Sequence, residues 1–90
     1  MAVKYVRISP AELRHRLRRG GVFILAVPKK GHEDKMPLVS GGRYSGKKAP
    51  LQLASLEAIS GDGTRCKLAT DTGGNYWVDC DDLLFHVDEL

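Results

Sequence analysis

The sequence predicts a small single domain of the α+β class, on three observations. One short segment carries the start and stop signals of a helix, residues 22–27 are apolar throughout, and the C-terminal half alternates apolar and polar residues between turn signals. Alternation of this kind between glycine-rich turns is typical of an antiparallel meander. We therefore expect strand–helix–strand followed by a meander over residues 1–90, with a partly open small β-barrel as a further option.

Length and composition favour one folded domain. Ninety residues, 42% of them hydrophobic and 28% charged, can bury a single core. The longest apolar run, residues 22–27, is far shorter than the roughly 20 residues needed to span a bilayer. Because Lys4 and Arg7 interrupt any N-terminal signal segment, we expect a cytoplasmic protein.

The first two predicted elements are a strand and a helix. β-forming residues alternate imperfectly over 3–8, which favours a strand. Ser9 suits the N-cap, Pro10 suits the first helical position and Glu12 completes a capping box, so a helix is predicted over Pro10–Arg19. The two glycines that follow end the helix through a left-handed cap.

The next two segments differ sharply in composition. Residues 22–27 predict a central strand buried on both faces. Residues 28–50 contain three of the four prolines, four of the ten glycines and six basic residues, so a long basic loop is expected. Loops of that length are uncommon and are usually functional or disordered. Rapid hydrogen exchange is expected throughout 28–50, with protection on either side.

The C-terminal part predicts the meander in detail. Its strands are expected at 51–59, 64–70, 76–80 and 85–87, with one 3₁₀ turn at 81–84. In element order alone, roughly the last 40 residues resemble the end of small barrels of the Src-homology or Tudor kind, without a diagnostic motif. Cys66 and Cys80 are expected to be reduced, with a cross-strand disulfide as the alternative.

Charge is distributed unevenly along the chain. Residues 1–48 contain twelve Lys or Arg and three Asp or Glu, giving +9, whereas residues 49–90 contain two and eight, giving −6. Such asymmetry indicates a basic face with a polyanionic or acidic partner. Alternatively, the two halves neutralise each other in the fold.

One segment partly matches a phosphate-binding loop. Residues 41–47 follow the pattern G-x-x-x-x-G-K, but Lys48 replaces the Ser or Thr that binds magnesium, and Pro50 disrupts the helix that must follow. Nucleotide hydrolysis is therefore not expected. A basic glycine-rich loop that contains Tyr44 can still lie along a phosphate backbone.

Catalysis and metal binding are not predicted. His32, Glu33 and Asp34 are adjacent and are interpreted as solvated loop charges, because neighbours in sequence rarely converge on one metal. No nucleophile–base pair is recognisable. We therefore expect no enzymatic activity, no metal and no cofactor.

Trp77 has two interpretations. Buried, it is a core residue, which is the preferred interpretation. Exposed beside Arg65 or Lys67, it is a stacking platform for a base or a hot spot for a protein partner.

The main functional hypothesis is a non-enzymatic protein that binds nucleic acid or a ribonucleoprotein. Contact with about five phosphates would give a salt slope of about −4 to −4.5. The predicted contact residues are Arg14, Arg16, Arg18, Arg19, Lys29, Lys30, Arg43, Tyr44, Lys47, Lys48 and Trp77.

The alternative hypothesis is an inhibitor or adaptor of the kind made by phages and mobile elements. It would occlude a large host protein complex, for example a CRISPR effector, by protein–protein contact. The protein is expected to be a monomer or a homodimer paired through an open strand edge.

Overall fold

The computed structural model describes residues 3–40 and 47–90. In this part of the chain one α-helix, α1 (Pro10–Arg19), accompanies a five-stranded sheet and a two-stranded hairpin. The strands in chain order are β1 (Val22–Pro28), β2 (Leu38–Ser40), β3 (Lys48–Pro50), β4 (Ala54–Ile59), β5 (Arg65–Ala69), β6 (Asn75–Asp79) and β7 (Leu83–Glu89). The α+β class is confirmed, and the described strand pairs are antiparallel.

Helix α1 begins and ends where its sequence signals place it. The Ser9 hydroxyl accepts a hydrogen bond from the Glu12 N–H at 3.2 Å, which satisfies one free donor of the first turn. The Glu12 carboxylate pairs instead with Arg16 at 3.1 Å, so the predicted capping box is only half formed. Gly20 follows the helix with a φ of +72°, which glycine adopts at little cost. Leu13 is fully buried and anchors α1 to the sheet.

The sheet has the order β6-β5-β4-β1-β7, which places β1 at a central position. Ile24 and Ala26 of β1 are buried in one core cluster with Leu13 of α1, and this defines the inner face of the sheet. On the opposite, outer face, Phe23 is 46% exposed. The prediction that this strand is buried on both faces is therefore wrong for the outer face, because α1 covers only one side.

The sheet curves around its inner face. Its edge strands β6 and β7 are joined by a single 3₁₀ turn at Cys80–Asp82. In a flat sheet these strands would lie roughly 19 Å apart, whereas the turn spans at most roughly 14 Å. Within the described ranges no pairing joins β6 to β7, so the sheet is open and closure into a barrel is not confirmed.

Residues 3–8 do not form the predicted N-terminal strand. They contribute one isolated bridge between Val6 and Phe85, closed by backbone hydrogen bonds of 2.7 and 2.8 Å at the edge of β7. Since Ser9 already caps the helix, little length remains to extend this pairing. His86 of β7 also contacts this segment, with 3.2 Å between its Nδ1 and the Lys4 carbonyl oxygen, so the segment is held to the sheet beside β7 without forming a strand.

Segment 28–50, predicted as a long loop, contains short elements in its described part. A 3₁₀ turn at Glu33–Lys35 follows β1, and β2 pairs with β3. Met36 and Leu51, at the two ends of this hairpin, are buried in the core cluster. The Leu51 N–H also donates to the Pro37 carbonyl at 3.0 Å. These contacts fasten the base of the hairpin to the rest of the fold.

Strands β4, β5 and β6 form an antiparallel meander as predicted, whereas the closing strand β7 pairs with β1 instead of continuing it. Strand β4 starts at Ala54 and carries an irregularity between Leu56 and Ala58, while β7 extends beyond the predicted strand at both ends. Both cysteines are free and buried, as expected for reduced thiols.

Candidate functional site

Two of the predicted helix contacts are engaged within the fold. The Arg14 guanidinium donates to the carbonyl of Ser60, in the turn between β4 and β5. Arg16 lies between two carboxylates, 3.1 Å from that of Glu12 and 3.4 Å from that of Glu89. Both side chains therefore connect α1 to the sheet or its turns, and these bonds occupy part of the hydrogen-bonding capacity of each guanidinium.

Four further basic residues of the predicted contact set are divided between the two ends of β1. Arg18 and Arg19 are exposed at the end of α1, just before β1 begins. Lys29 and Lys30 follow the end of β1, and the Lys29 N–H donates to the Asp82 carbonyl at 2.9 Å. A seven-residue strand is roughly 20 Å long. The structure therefore does not bring these two groups together.

The region after β1 is anchored by a contact between the half-buried His32 and the buried Asp82. His32 Nδ1 lies 2.8 Å from the Asp82 carboxylate, which is only 9% exposed, and Lys35 Nζ lies 3.9 Å from the same oxygen. The interpretation of His32 as a solvated loop charge is wrong, because its ring contacts a residue fifty positions later. This pair is a structural attachment of the segment to the Cys80–Asp82 turn.

Trp77 is exposed on the outer face of the sheet. Its side chain is 48% exposed, whereas the neighbouring Val78 points to the inner face and is buried. The preferred interpretation of Trp77 as a core residue is therefore wrong. Strand β6 is an edge strand, so Trp77 lies at the edge of the described sheet.

Lysine lies directly beside this tryptophan. In the β5–β6 register Lys67 is the partner of Trp77, and Arg65 is the partner of Asp79, with 3.4 Å between Arg65 Nε and the carboxylate. Lys67 has no ion pair among the described residues. Glu57, at the irregular position of β4, is the other nearby carboxylate. The outer face at β5 and β6 thus presents the indole of Trp77 beside the ammonium group of Lys67, and the charges of the neighbouring side chains largely cancel.

The two lysines of the predicted loop lie on or beside β3. Lys48 is the register partner of Ser40, and both Lys47 and Lys48 are exposed. Two other predicted contacts, Arg43 and Tyr44, lie outside the described residues, as does most of the phosphate-loop-like segment.

An open groove of about 670 Å³ lies between the β2–β3 hairpin and the outer face of the sheet. Phe23 and Leu25 of β1 line one side, and Val39 and Pro50 of the hairpin line the other. Sequence analysis missed this groove, because it depends on a hairpin within the segment interpreted as a loop. The position of Lys67 beside Trp77, in contrast, could be predicted from the sequence, because pairing the two predicted strands across the turn at 71–75 makes these residues neighbours.

The two cysteines do not form a reactive site. Burial raises the pKa of the Cys66 thiol, and contact with the Cys80 thiol raises it further. Burial also raises the pKa of Cys80. Because the thiolate is the reactive form, these side chains behave as packed apolar groups.

Comparisons with known proteins identify no relative. No family model, curated protein or solved structure matches the chain. No helix in the described ranges is long and apolar enough to cross a membrane. The same ranges contain no group of three or more His, Cys, Asp or Glu side chains arranged to bind a metal.

Proposed function

We propose that this is a non-enzymatic protein that binds single-stranded nucleic acid, or a ribonucleoprotein that presents it, through Trp77 and Lys67. The observation that carries the proposal is the 48% exposure of Trp77 on the outer face of the sheet, opposite Lys67. A half-exposed indole on a sheet surface can stack on an unpaired base, and a lysine beside it can neutralise the adjoining phosphate.

Stacking, rather than charge, supplies most of the proposed affinity. Base–aromatic stacking contributes about 1–3 kcal/mol per base, while Arg65 is paired with Asp79 and leaves Lys67 as the nearest free cation. The single phosphate contact of Lys67 would give a salt slope of about −0.7 on a single strand, and three contacts would give about −2.1. Both slopes are shallower than the sequence suggested, because Arg14 and Arg16 are engaged elsewhere.

Further phosphate contacts are proposed for the exposed lysines Lys47 and Lys48. Lys48 begins β3 as the register partner of Ser40, and Lys47 directly precedes it. Arg18, Arg19, Lys29 and Lys30 lie at the two ends of β1 and would contact only a strand that wraps around the molecule.

The test is fluorescence anisotropy of labelled single-stranded DNA and RNA across a salt series. Trp77→Ala should weaken binding about fivefold to 150-fold, and Trp77→Phe should retain much of it. Lys67→Gln should make the salt slope shallower by about 0.7. Lys30→Gln, an exposed lysine at the end of β1, is the matched control for charge alone.

The outcomes separate the hypotheses. If Trp77→Ala binds nucleic acid as tightly as the wild type, the proposed site is wrong. Loss of binding in the double variant Lys47→Glu, Lys48→Glu would then place the nucleic-acid site on the hairpin. If neither the wild type nor any variant binds nucleic acid at low salt, a protein partner becomes the leading hypothesis, with Trp77 as an interface hot spot. Capture from a host lysate, with Trp77→Ala as the control, would test an inhibitor of a host complex.

A further inference from the structure

Two thiol groups meet inside the fold, on the face of the sheet opposite to Trp77. Cys66 of β5 is fully buried, and Cys80, directly after β6, is 6% exposed. Both are free and belong to the core cluster on the inner face of the sheet. Their thiol groups are in contact with each other. In the free protein they pack as apolar groups, but two adjacent sulfur atoms are also a pair of ligands for a soft metal ion.

The register of β5 and β6 determines how the two sulfur atoms can be joined. Cys66 is the partner of Val78, and the Cys80 N–H donates to the Thr64 carbonyl at 2.9 Å, so the cysteines are diagonal neighbours. Diagonal neighbours lie roughly 7–8 Å apart, whereas disulfides usually join Cα atoms roughly 4.4–6.8 Å apart. A direct disulfide would therefore require the strands to move. A metal ion with a bond of roughly 2.3 Å to each sulfur spans a wider gap between the two sulfur atoms.

The ligand set and its surroundings select the class of ion. Zn²⁺ takes four ligands in structural sites, and the described ranges contain no group of three or more His, Cys, Asp or Glu side chains arranged to bind a metal. Leu68 and Phe85 belong to the same buried cluster as the two cysteines. An apolar environment is unfavourable for strongly hydrated ions, whereas Cu⁺ prefers sulfur ligands and is satisfied by two of them.

Cys80 gives an ion access to the pair from solvent. It lines a pocket of about 340 Å³ beside the start of α1, together with Arg7, Lys29 and Asp81. An ion that enters this pocket meets Cys80 first and then the fully buried Cys66. Two thiolates and one Cu⁺ carry a net charge of −1. Arg7 and Lys29 place two positive charges on the pocket side, against the single carboxylate of Asp81 among the described lining residues.

We infer that Cys66 and Cys80 together bind one soft monovalent cation of the Cu⁺ class between their sulfur atoms. Two sulfur–metal bonds form, the two S–H protons pass to water, and no electron is transferred. This site departs from the sequence-based expectation of no metal, because only the pairing of β5 with β6 brings the two cysteines together. The inference is independent of the nucleic-acid proposal, since Trp77 and Lys67 lie on the outer face.

The experiment is an anaerobic titration of the full chain with Cu⁺ in competition with a coloured Cu⁺ chelator, followed by native mass spectrometry. One Cu⁺ should bind per chain, and Zn²⁺ at the same concentration should not bind. Ag⁺, which has the same charge and preference for sulfur, should bind with the same stoichiometry. Saturating Cu⁺ should also raise the urea midpoint, because both thiols are positioned together only in the folded chain.

Variants test whether the ion is held by the pair. Cys66→Val and Cys80→Ala each remove one ligand and should weaken Cu⁺ binding about 100-fold or more, a typical gain from a second linked contact. Val78→Ala is the matched control, because it truncates the buried partner of Cys66, keeps both sulfur atoms and should leave the affinity nearly unchanged. Lys29→Gln should weaken binding about twofold to fivefold, whereas Lys30→Gln, outside the pocket, should not.

Several outcomes would overturn the inference. They are the absence of a complex with one Cu⁺ per chain, Cu⁺ binding that survives in both single-cysteine variants, equal affinity for Zn²⁺ and Cu⁺, and a disulfide formed in place of the metal complex. Amide spectra of the free variants show which of them are folded, and Cys80→Ala stays informative if Cys66→Val is not. None of these outcomes affects the Trp77 test, so the two proposals fail separately.

Discussion

Asp62 provides the hydrogen bonds that shape the turn between β4 and β5. Its Oδ1 accepts from the Ser60 hydroxyl at 2.7 Å, from the Thr64 N–H at 3.1 Å and from the Thr64 hydroxyl at 2.8 Å. These bonds lower the pKa of Asp62 from 3.8 to about 2, although the carboxylate is exposed, and the bond from the Ser60 hydroxyl has the largest effect. Hydrogen bonds to the charged form thus stabilise the turn only while Asp62 is ionised.

The first prediction concerns the pH dependence of this contribution. Because the folded pKa lies below the unfolded value, the stabilisation is complete above about pH 4 and is lost as the pH falls through about 2. Asp62→Ala should therefore have a lower urea midpoint than the wild type at pH 6. The difference between the two midpoints should be smaller at pH 2. Asp34→Ala, an exposed aspartate outside the turn, is the control. An equal gap at both pH values would contradict this account.

The second prediction concerns the His32–Asp82 contact. His32→Ala removes the partner 2.8 Å from a carboxylate that is 9% exposed, so urea unfolding should show a loss of about 1–3 kcal/mol. His15→Ala, on the exposed surface of α1, should cost less than about 0.5 kcal/mol. Equal losses in the two variants would show that the His32 contact contributes nothing specific.

The two contacts differ in how far the sequence reveals them. The turn at Asp62 follows from neighbouring residues, and a Gly-Asp-Gly sequence predicts it without reference to the rest of the chain. The His32 contact joins positions fifty apart, and depends on the pairing of β1 with β7 that brings the Cys80–Asp82 turn beside Lys29. Local signals cannot specify such a partner.

Elements were predictable to the extent that their signals are local. The bounds of α1 follow from its cap, its proline and its terminal glycines, and the structure has the same bounds. The β2–β3 hairpin was missed, because its two strands are three residues each and are stabilised by Met36 and Leu51 entering a distant core. Its absence from the prediction also concealed the groove, since the hairpin forms one of its sides.

The third prediction belongs to the helix as an element. Ser9→Ala should destabilise the protein by about 1 kcal/mol, because the Glu12 N–H loses its acceptor at the start of α1. Ser9→Gly should cost only a few tenths of a kcal/mol, since glycine suits the N-cap conformation. Chemical unfolding of both variants gives the comparison. Similar losses for alanine and glycine would mean that the hydroxyl is not the relevant group.

At the scale of the molecule, folding partly neutralises the charge asymmetry of the chain. Arg16 meets Glu89, and His32 and Lys35 meet Asp82, so three basic or ionisable groups of the N-terminal half have partners from the C-terminal half. Mutual neutralisation therefore holds for these residues, while a basic face with an acidic partner stays a prediction for the others. The pairing of β1 with β7 determines which basic residues have acidic partners in the fold. Amino-acid composition does not predict that pairing.

The last prediction concerns the distribution of stability over the fold. Strand β1 is paired on both sides and contributes Ile24 and Ala26 to the core, whereas the hairpin strands pair only with each other in the described chain and are largely exposed. Native-state hydrogen exchange should therefore be at least ~100-fold slower at Ile24 than at Val39 or Ala49. Within 28–50 the exchange should be uneven, with slower exchange at Lys29, whose N–H is bonded to Asp82. Equal protection of the hairpin and β1 would contradict this distribution and show that both unfold as one unit.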